Sequence, residues 1–328
     1  MGGWSNVITQ SSKILPSDIP LVVDVLKTFE NEFNEFIDRD HHQPIKFGNV
    51  VGSTAYFERD LIENPTKEYG DIDVIFVIPR MWQMTESANT TLYRQLIENF
   101  IHTTTPIYLL ADDTVNGANI IFIINGKFIQ IDFITTFPEY EKWATFRMTP
   151  EYGLKGIFMG FLFASLAEVL YLSIGTSGIQ AKFAEGKLIP FKKRKFDTTE
   201  HVTSSIEYFA VDIVTFFSYL KNINPNVCTE LLDNPNMHEI SFKNLVSMII
   251  GIGKSLELNG LFGVGNLSHI KNHDDYITQI VSVFNRKADE SANASKFNKA
   301  STEEAINKAN ATKKLITEKS KELVKLLA

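Results

Sequence analysis

The chain of 328 residues reads as an α+β N-terminal part followed by a mainly α-helical C-terminal part. Three observations predict this. Short β-rich runs fall early: Lys46 to Val51, Ile72 to Ile78, Asn119 to Ile124 and Phe128 to Ile134. Asn125-Gly126 separates the last two, and favours a tight hairpin because both residues tolerate positive φ. After about Pro150, apolar and amphipathic stretches of helical length take over. The expected domains are residues 1–150 and 151–328.

Each element has its own signal. Within Leu21 to Ile37, the residues Val22, Leu26, Phe29, Phe33, Phe36 and Ile37 recur at helical spacing. Ser17-Asp18 supplies a cap signal and Pro20 suits a first turn. Asp38 to Pro44 is polar and reads as a loop. The strand Lys46 to Val51 runs into Gly52-Ser53-Thr54. The strand Ile72 to Ile78 is stopped by Pro79. Thr85 to His102 is helix-like, with Leu92, Leu96 and Phe100 on one side. In the second half the expected helices are Gly156 to Ile174, Glu200 to Leu220, Ser241 to Leu258, Asp274 to Phe284 and Thr302 to Leu327. Asp289 to Ser301 is small and polar, a lead-in to the last of them. No internal repeat is visible.

Composition narrows the class. Apolar residues at 44% and charged residues at 22% describe a globular chain. The 25 phenylalanines supply bulk for a core. Cys228 is the one cysteine, which excludes an internal disulfide and a cysteine-built zinc site. That cysteine usage, with no secretory pattern at the start, points to a reducing, cytoplasmic setting. Gly156 to Ile174 is almost long enough to cross a bilayer, but Glu168 inside it would be costly there, so a buried helix and no membrane partner are expected. The net charge of −7 counts against a long nucleic-acid footprint, though it leaves room for a local basic patch.

The chemistry lies in three carboxylates. Residues two apart on a strand share a face, so Asp71 and Asp73 project together while Ile72 and Val74 turn to the core. Two adjacent carboxylates repel, and a divalent cation removes that penalty. All-oxygen ligands suit Mg²⁺ or Mn²⁺. Asp132 repeats the theme, because Ile129, Ile131 and Phe133 share one face of its strand and Phe128, Gln130 and Asp132 the other. A charge in so apolar a strand is expensive unless paired or metal-bound. If the hairpin lies beside the Asp71–Asp73 strand, all three carboxylates converge. Two metals about 4 Å apart can then clamp a phosphoryl group under in-line attack. The Gly52-Ser53-Thr54 turn supplies backbone N–H groups and hydroxyls that can cradle a phosphate.

In this order, Val51-Gly52-Ser53, then Gly70-Asp71-Ile72-Asp73-Val74, then Ile131-Asp132-Phe133, the motifs resemble the nucleotidyltransferase superfamily of DNA polymerase β, poly(A) polymerases and CCA-adding enzymes. The resemblance covers roughly the first 150 residues. It implies a small mixed β-sheet with flanking helices, two Mg²⁺ (or Mn²⁺) ions and an NTP substrate. It makes Asp71, Asp73 and Asp132 the metal ligands and catalytic residues, with Gly52 and Ser53 at the triphosphate. The gap between Gly52-Ser53 and Asp71 is longer than in many members. It contains Arg59-Asp60, which partly matches an Arg-Asp element of the CCA-adding enzymes. The acceptor expected first is an RNA or tRNA 3′ end, extended without a template. The alternatives are a protein or small-molecule hydroxyl, as in toxin- or antibiotic-modifying relatives, and a non-catalytic nucleotide-binding protein.

Other motifs have two readings. The run Phe191-Lys192-Lys193-Arg194-Lys195-Phe196 either binds the triphosphate or acceptor phosphates, or is a solvated loop whose lysines oppose aggregation. Lys182 and Lys187 could extend it. Gly251-Ile-Gly-Lys-Ser255 resembles the end of a phosphate-binding loop, but Met248 stands where the first glycine belongs. Gly260 to Gly265 fits no dinucleotide fingerprint. His41-His42 lacks partners at ligand spacing. Asp212, in an apolar run, reads as a buried polar contact, with a catalytic role as the lesser alternative.

Overall fold

The computed structural model describes residues 12–81, 83–104, 119–145, 147–148, 156–175, 178–184, 187–189, 207–211, 239–258, 260–264, 267–293 and 303–327. The chain divides into two units, Met1–Thr145 and Phe146–Ala328.

The first unit is built on four strands, β1 (Lys46–Val51), β2 (Ile72–Val77), β3 (Asn119–Ile124) and β4 (Lys127–Thr136), in the spatial order β1-β2-β4-β3. The β1/β2 and β3/β4 pairs are antiparallel and the central β2/β4 pair is parallel. The sheet is therefore mixed, as expected. Asn125 (φ 51) and Gly126 (φ 75) are both left-handed at the β3–β4 turn, which is what a two-residue hairpin demands.

One face of the sheet carries the core. Ile72, Val74 and Phe76 of β2 meet Ile129, Ile131 and Phe133 of β4 and Ile120 and Phe122 of β3, all buried. Two helices supply the matching residues, α1 (Ile19–Asp38) through Val22, Leu26, Phe29 and Phe33 and α3 (Glu86–Thr104) through Tyr93, Leu96, Ile97 and Phe100. Phe29 is the hub. Its ring lies 5.4 Å from Phe100, 5.8 Å from Phe47 and 5.9 Å from Phe122. Burying each such ring stabilises the unit by about 2–3 kcal/mol. The turn after α1 is closed by Asn34, whose side chain exchanges hydrogen bonds of 2.8 and 3.0 Å with the Ile45 backbone. His41 (φ 61) and His42 lie in that turn, and the His42 N–H donates to Ile37 O at 3.1 Å. The short helix α4 (Glu141–Thr145) lies on the opposite face, where Glu141 Oε1 would stand 3.2 Å from a Cβ placed at Gly48.

The second unit contains four described helices: α5 (Gly156–Val169), then Phe242–Leu258, His273–Ala292 and Glu303–Leu327. Phe158, Phe161, Phe242 and Phe284 stack edge-to-face between them. Arg286 makes a two-pronged pair with Glu168 at 2.5 Å, so the glutamate within the apolar segment has its counter-charge. No helix of the described residues is long and apolar enough to cross a membrane.

This unit also holds strands that the helical expectation missed. β6 (Ser173–Gly175), β7 (Gly178–Ala184), β8 (Lys187–Ile189) and β9 (Glu207–Val211) form one antiparallel sheet, and β5 (Arg147–Met148) pairs with β10 (Glu239–Ile240). β9 lies inside the stretch Glu200 to Leu220, which had a helical pattern. Its Tyr208, Phe209 and Val211 are strong strand formers, and β7 offers them a pairing edge from Ile179 to Phe183. The segment Gly156 to Ile174 likewise leaves the helix after Val169, where Tyr171 takes φ 55 and β6 begins. Gly253 is a packing glycine, since a Cβ there would fall 2.4 Å from the Tyr276 ring. That accounts for Gly253 within Gly251 to Ser255 without a phosphate.

Candidate active site

Strand register brings the aspartates together. Val51 of β1 stands opposite Asp73, Asp73 opposite Asp132, and Asp132 opposite Asn119, so one row crosses the whole sheet. Residues opposite each other in register point to the same face. Val74 and Phe133 enter the helical core, so Asp73 and Asp132 project from the other side. The parallel β2/β4 pairing decides this, because it sets the second hairpin strand, rather than the first, beside β2. Asp71 sits one residue before β2, and its charge acts on both other aspartates. All three side chains are half-buried.

The approach to Asp71 is braced. Tyr69 pairs with Ile14 through backbone hydrogen bonds of 2.8 and 3.3 Å. Its hydroxyl donates to Asp60 Oδ2 at 2.5 Å, and Lys67 donates to the same oxygen. Asp60 is buried. The Arg59-Asp60 element noted in the sequence thus contributes a structural carboxylate on α2 (Phe57–Glu63), tied to the segment that leads into Asp71.

The electrostatics are those of crowded like charges. Burial, then the charges of Asp71 and Asp132, push the Asp73 carboxyl up to about 7. Burial and the Asp71 charge also raise Asp132, against a hydrogen bond from Gln130 that lowers it. Among the described residues, no three Asp, Glu, His or Cys side chains are drawn into a ready coordination cage. The register fixes the backbones of Asp73 and Asp132 side by side. Strand-borne carboxylates whose repulsion a cation would relieve fit a hard divalent ion such as Mg²⁺ or Mn²⁺.

Gly52 sits directly over Asp73. Its φ is +63, and a Cβ added there would lie 1.9 Å from Asp73 Oδ2. A side chain is barred twice, by backbone conformation and by the carboxylate. Sequence reasoning gave this glycine to a phosphate and missed its tie to Asp73. Gly52 opens a 3₁₀ turn, Gly52–Tyr56, that leads straight into α2. Gly52 and Ser53 are exposed. Thr54 is fully buried and its Oγ1 donates to Val51 O at 3.0 Å, so in this conformation its hydroxyl closes the turn instead of facing a phosphate.

Gln130 is the side chain that sequence reasoning placed on the right face but did not single out. Its Nε2 donates to Asp132 Oδ1 at 2.7 Å. Lys192, Lys193 and Arg194, expected at the nucleotide, lie outside the described residues, as does Asp212. Lys182 and Lys187 fall on β7 and β8 of the second unit.

No family model matches the sequence, and no curated protein matches it. Among solved structures, the E. coli MS115-1 CdnC:HORMA-deltaN complex aligns over 95% of this chain and 93% of that one, at 11% identity and a TM-score of 0.27. A score this low leaves the site's own geometry as the ground for a functional reading.

Proposed function

We propose that the chain is a divalent-metal-dependent nucleotidyltransferase that moves a nucleoside monophosphate from an NTP to a hydroxyl acceptor. The observation that carries this reading is the direct register of Asp73 with Asp132, under the charge of Asp71 and beneath the Gly52 turn. Asp71, Asp73 and Asp132 would hold two Mg²⁺ or Mn²⁺ ions. Bound there, such ions lower the pKa of an attacking hydroxyl and offset charge on a leaving pyrophosphate.

The chain's own residues do the rest. Gly52 and Ser53 offer exposed backbone to the triphosphate, and the missing Cβ lets it come close. Asp73, with a carboxyl raised to about 7, gives up its proton when the cation takes its place. The acceptor oxygen bonds to the α-phosphorus, the bond from that phosphorus to the β-bridging oxygen breaks, and pyrophosphate leaves. The hydroxyl proton passes to solvent.

An RNA or tRNA 3′ hydroxyl is the first acceptor to test, and the net charge of −7 favours a protein or small-molecule hydroxyl as the second. Each α-labelled NTP is incubated with Mg²⁺ or Mn²⁺, pooled RNA and the protein itself. Label in lengthened RNA supports the first acceptor, and label on protein or a small product supports the second. Absence of metal-dependent pyrophosphate release with every NTP and acceptor would overturn the enzyme reading.

A further inference from the structure

Gln130 is a buried amide in an otherwise apolar stretch of strand. It lies between Ile129 and Ile131, both turned to the core, and two residues before Asp132, so it shares the aspartate's face. It is 6% exposed. A buried amide at such a place is costly unless its donors are used. Here Nε2 donates to Asp132 Oδ1 at 2.7 Å. Asp132 is also the carboxylate that needs such a contact. Its register partner Asp73 and the nearby Asp71 carry the same charge, and repulsion would turn the side chain away. A neutral donor can hold one oxygen while leaving the full negative charge for a cation. A lysine or arginine there would hold the carboxylate but compete for that charge.

We infer that Gln130 is a positioning residue, which fixes the Asp132 carboxylate in the orientation from which it takes a divalent cation. This rests on the metal-site reading above, and the test separates the two. Full-length wild type, Gln130→Met, Gln130→Leu and Asp132→Asn are titrated with Mn²⁺, with free and bound ion followed by electron paramagnetic resonance. Thermal unfolding of each is measured in chelator. Wild type is expected to bind, and Asp132→Asn to bind far more weakly. The Gln130 variants are expected to keep their chelator melting temperatures to within a few degrees. They lose about tenfold or more in Mn²⁺ affinity, in line with the loss of partners that orient metal ligands. Their bound ion shows an altered zero-field splitting, which a purely structural role would not produce. Variants that bind Mn²⁺ with wild-type affinity and spectrum would overturn the positioning role and leave the metal site standing. If both Gln130 variants fail to fold, the amide is a packing residue and the role is likewise overturned. Equal Mn²⁺ binding by wild type and Asp132→Asn would overturn the metal site itself, and the positioning role with it.

Discussion

Replacing Asp73 with Asn should make the metal-free protein more stable while removing its response to metal. The wild-type carboxyl is pushed from 3.8 to about 7 by burial and by Asp71 and Asp132. At pH 7.5 it is largely ionised against that resistance. Fully expressed, the difference is on the order of 4 kcal/mol, at about 1.4 per pK unit. The side chain keeps some contact with solvent, which screens part of this, and a gain of about 1–3 kcal/mol is the working figure. For a chain of 328 residues that corresponds to roughly 1–5 °C in melting temperature. The assay is thermal unfolding at pH 7.5, first in chelator and then in excess Mg²⁺ or Mn²⁺. In chelator the variant should melt higher. With metal at about 100 times its dissociation constant, wild type should gain about 2.7 kcal/mol by mass action, while the variant gains little. A variant that melts lower than wild type in chelator, or that responds equally to metal, would refute the argument that this carboxylate is held in place for a cation.

Four further outcomes follow from the same geometry. Metal-free wild type should lose stability as pH rises from about 4 to 7, because the folded state holds the Asp73 proton more tightly than the unfolded state does; urea midpoints across that range in chelator check the slope, and Asp73→Asn should flatten it. Gly52→Ala should cost about 1–3 kcal/mol in backbone strain and displacement and abolish metal-dependent transfer, because its Cβ would strike Asp73 Oδ2; chemical denaturation and pyrophosphate release read the two effects. Tyr69→Phe removes the hydroxyl that donates to buried Asp60 and should cost about 1–3 kcal/mol, measured by denaturation midpoint. Phe29→Ala empties the hub of the aromatic core and should cost about 3–5 kcal/mol, seen as a large fall in melting temperature.

Local chemistry made much of the first unit legible. The strand Lys46–Val51 and the left-handed Asn125-Gly126 turn follow from side-chain type and backbone freedom alone. The alternation around Asp73 and Asp132 correctly assigned one face to the core and the other to the carboxylates. The pairing itself was not legible. Nothing in the runs 119–124 and 127–136 says which of the two strands lies beside β2, since that depends on contacts distant in sequence. The close approach of Gly52 to Asp73, the inward hydroxyl of Thr54 and the Tyr69–Asp60 bond were hidden for the same reason. Gln130 was closer to view: a buried amide two residues from a buried carboxylate on one strand face is a signal that alternation can supply. In the second unit, helical spacing misled at Glu207–Val211, where pairing with β7 outweighs local periodicity.

The most direct test is a crystal structure grown with Mn²⁺ and a non-hydrolysable NTP, with data collected at the manganese absorption edge. Anomalous peaks bounded by the carboxylates of Asp71, Asp73 and Asp132, with the triphosphate against Gly52 and Ser53, are the predicted result. Manganese and nucleotide bound elsewhere, with no anomalous peak at these three aspartates, would contradict it.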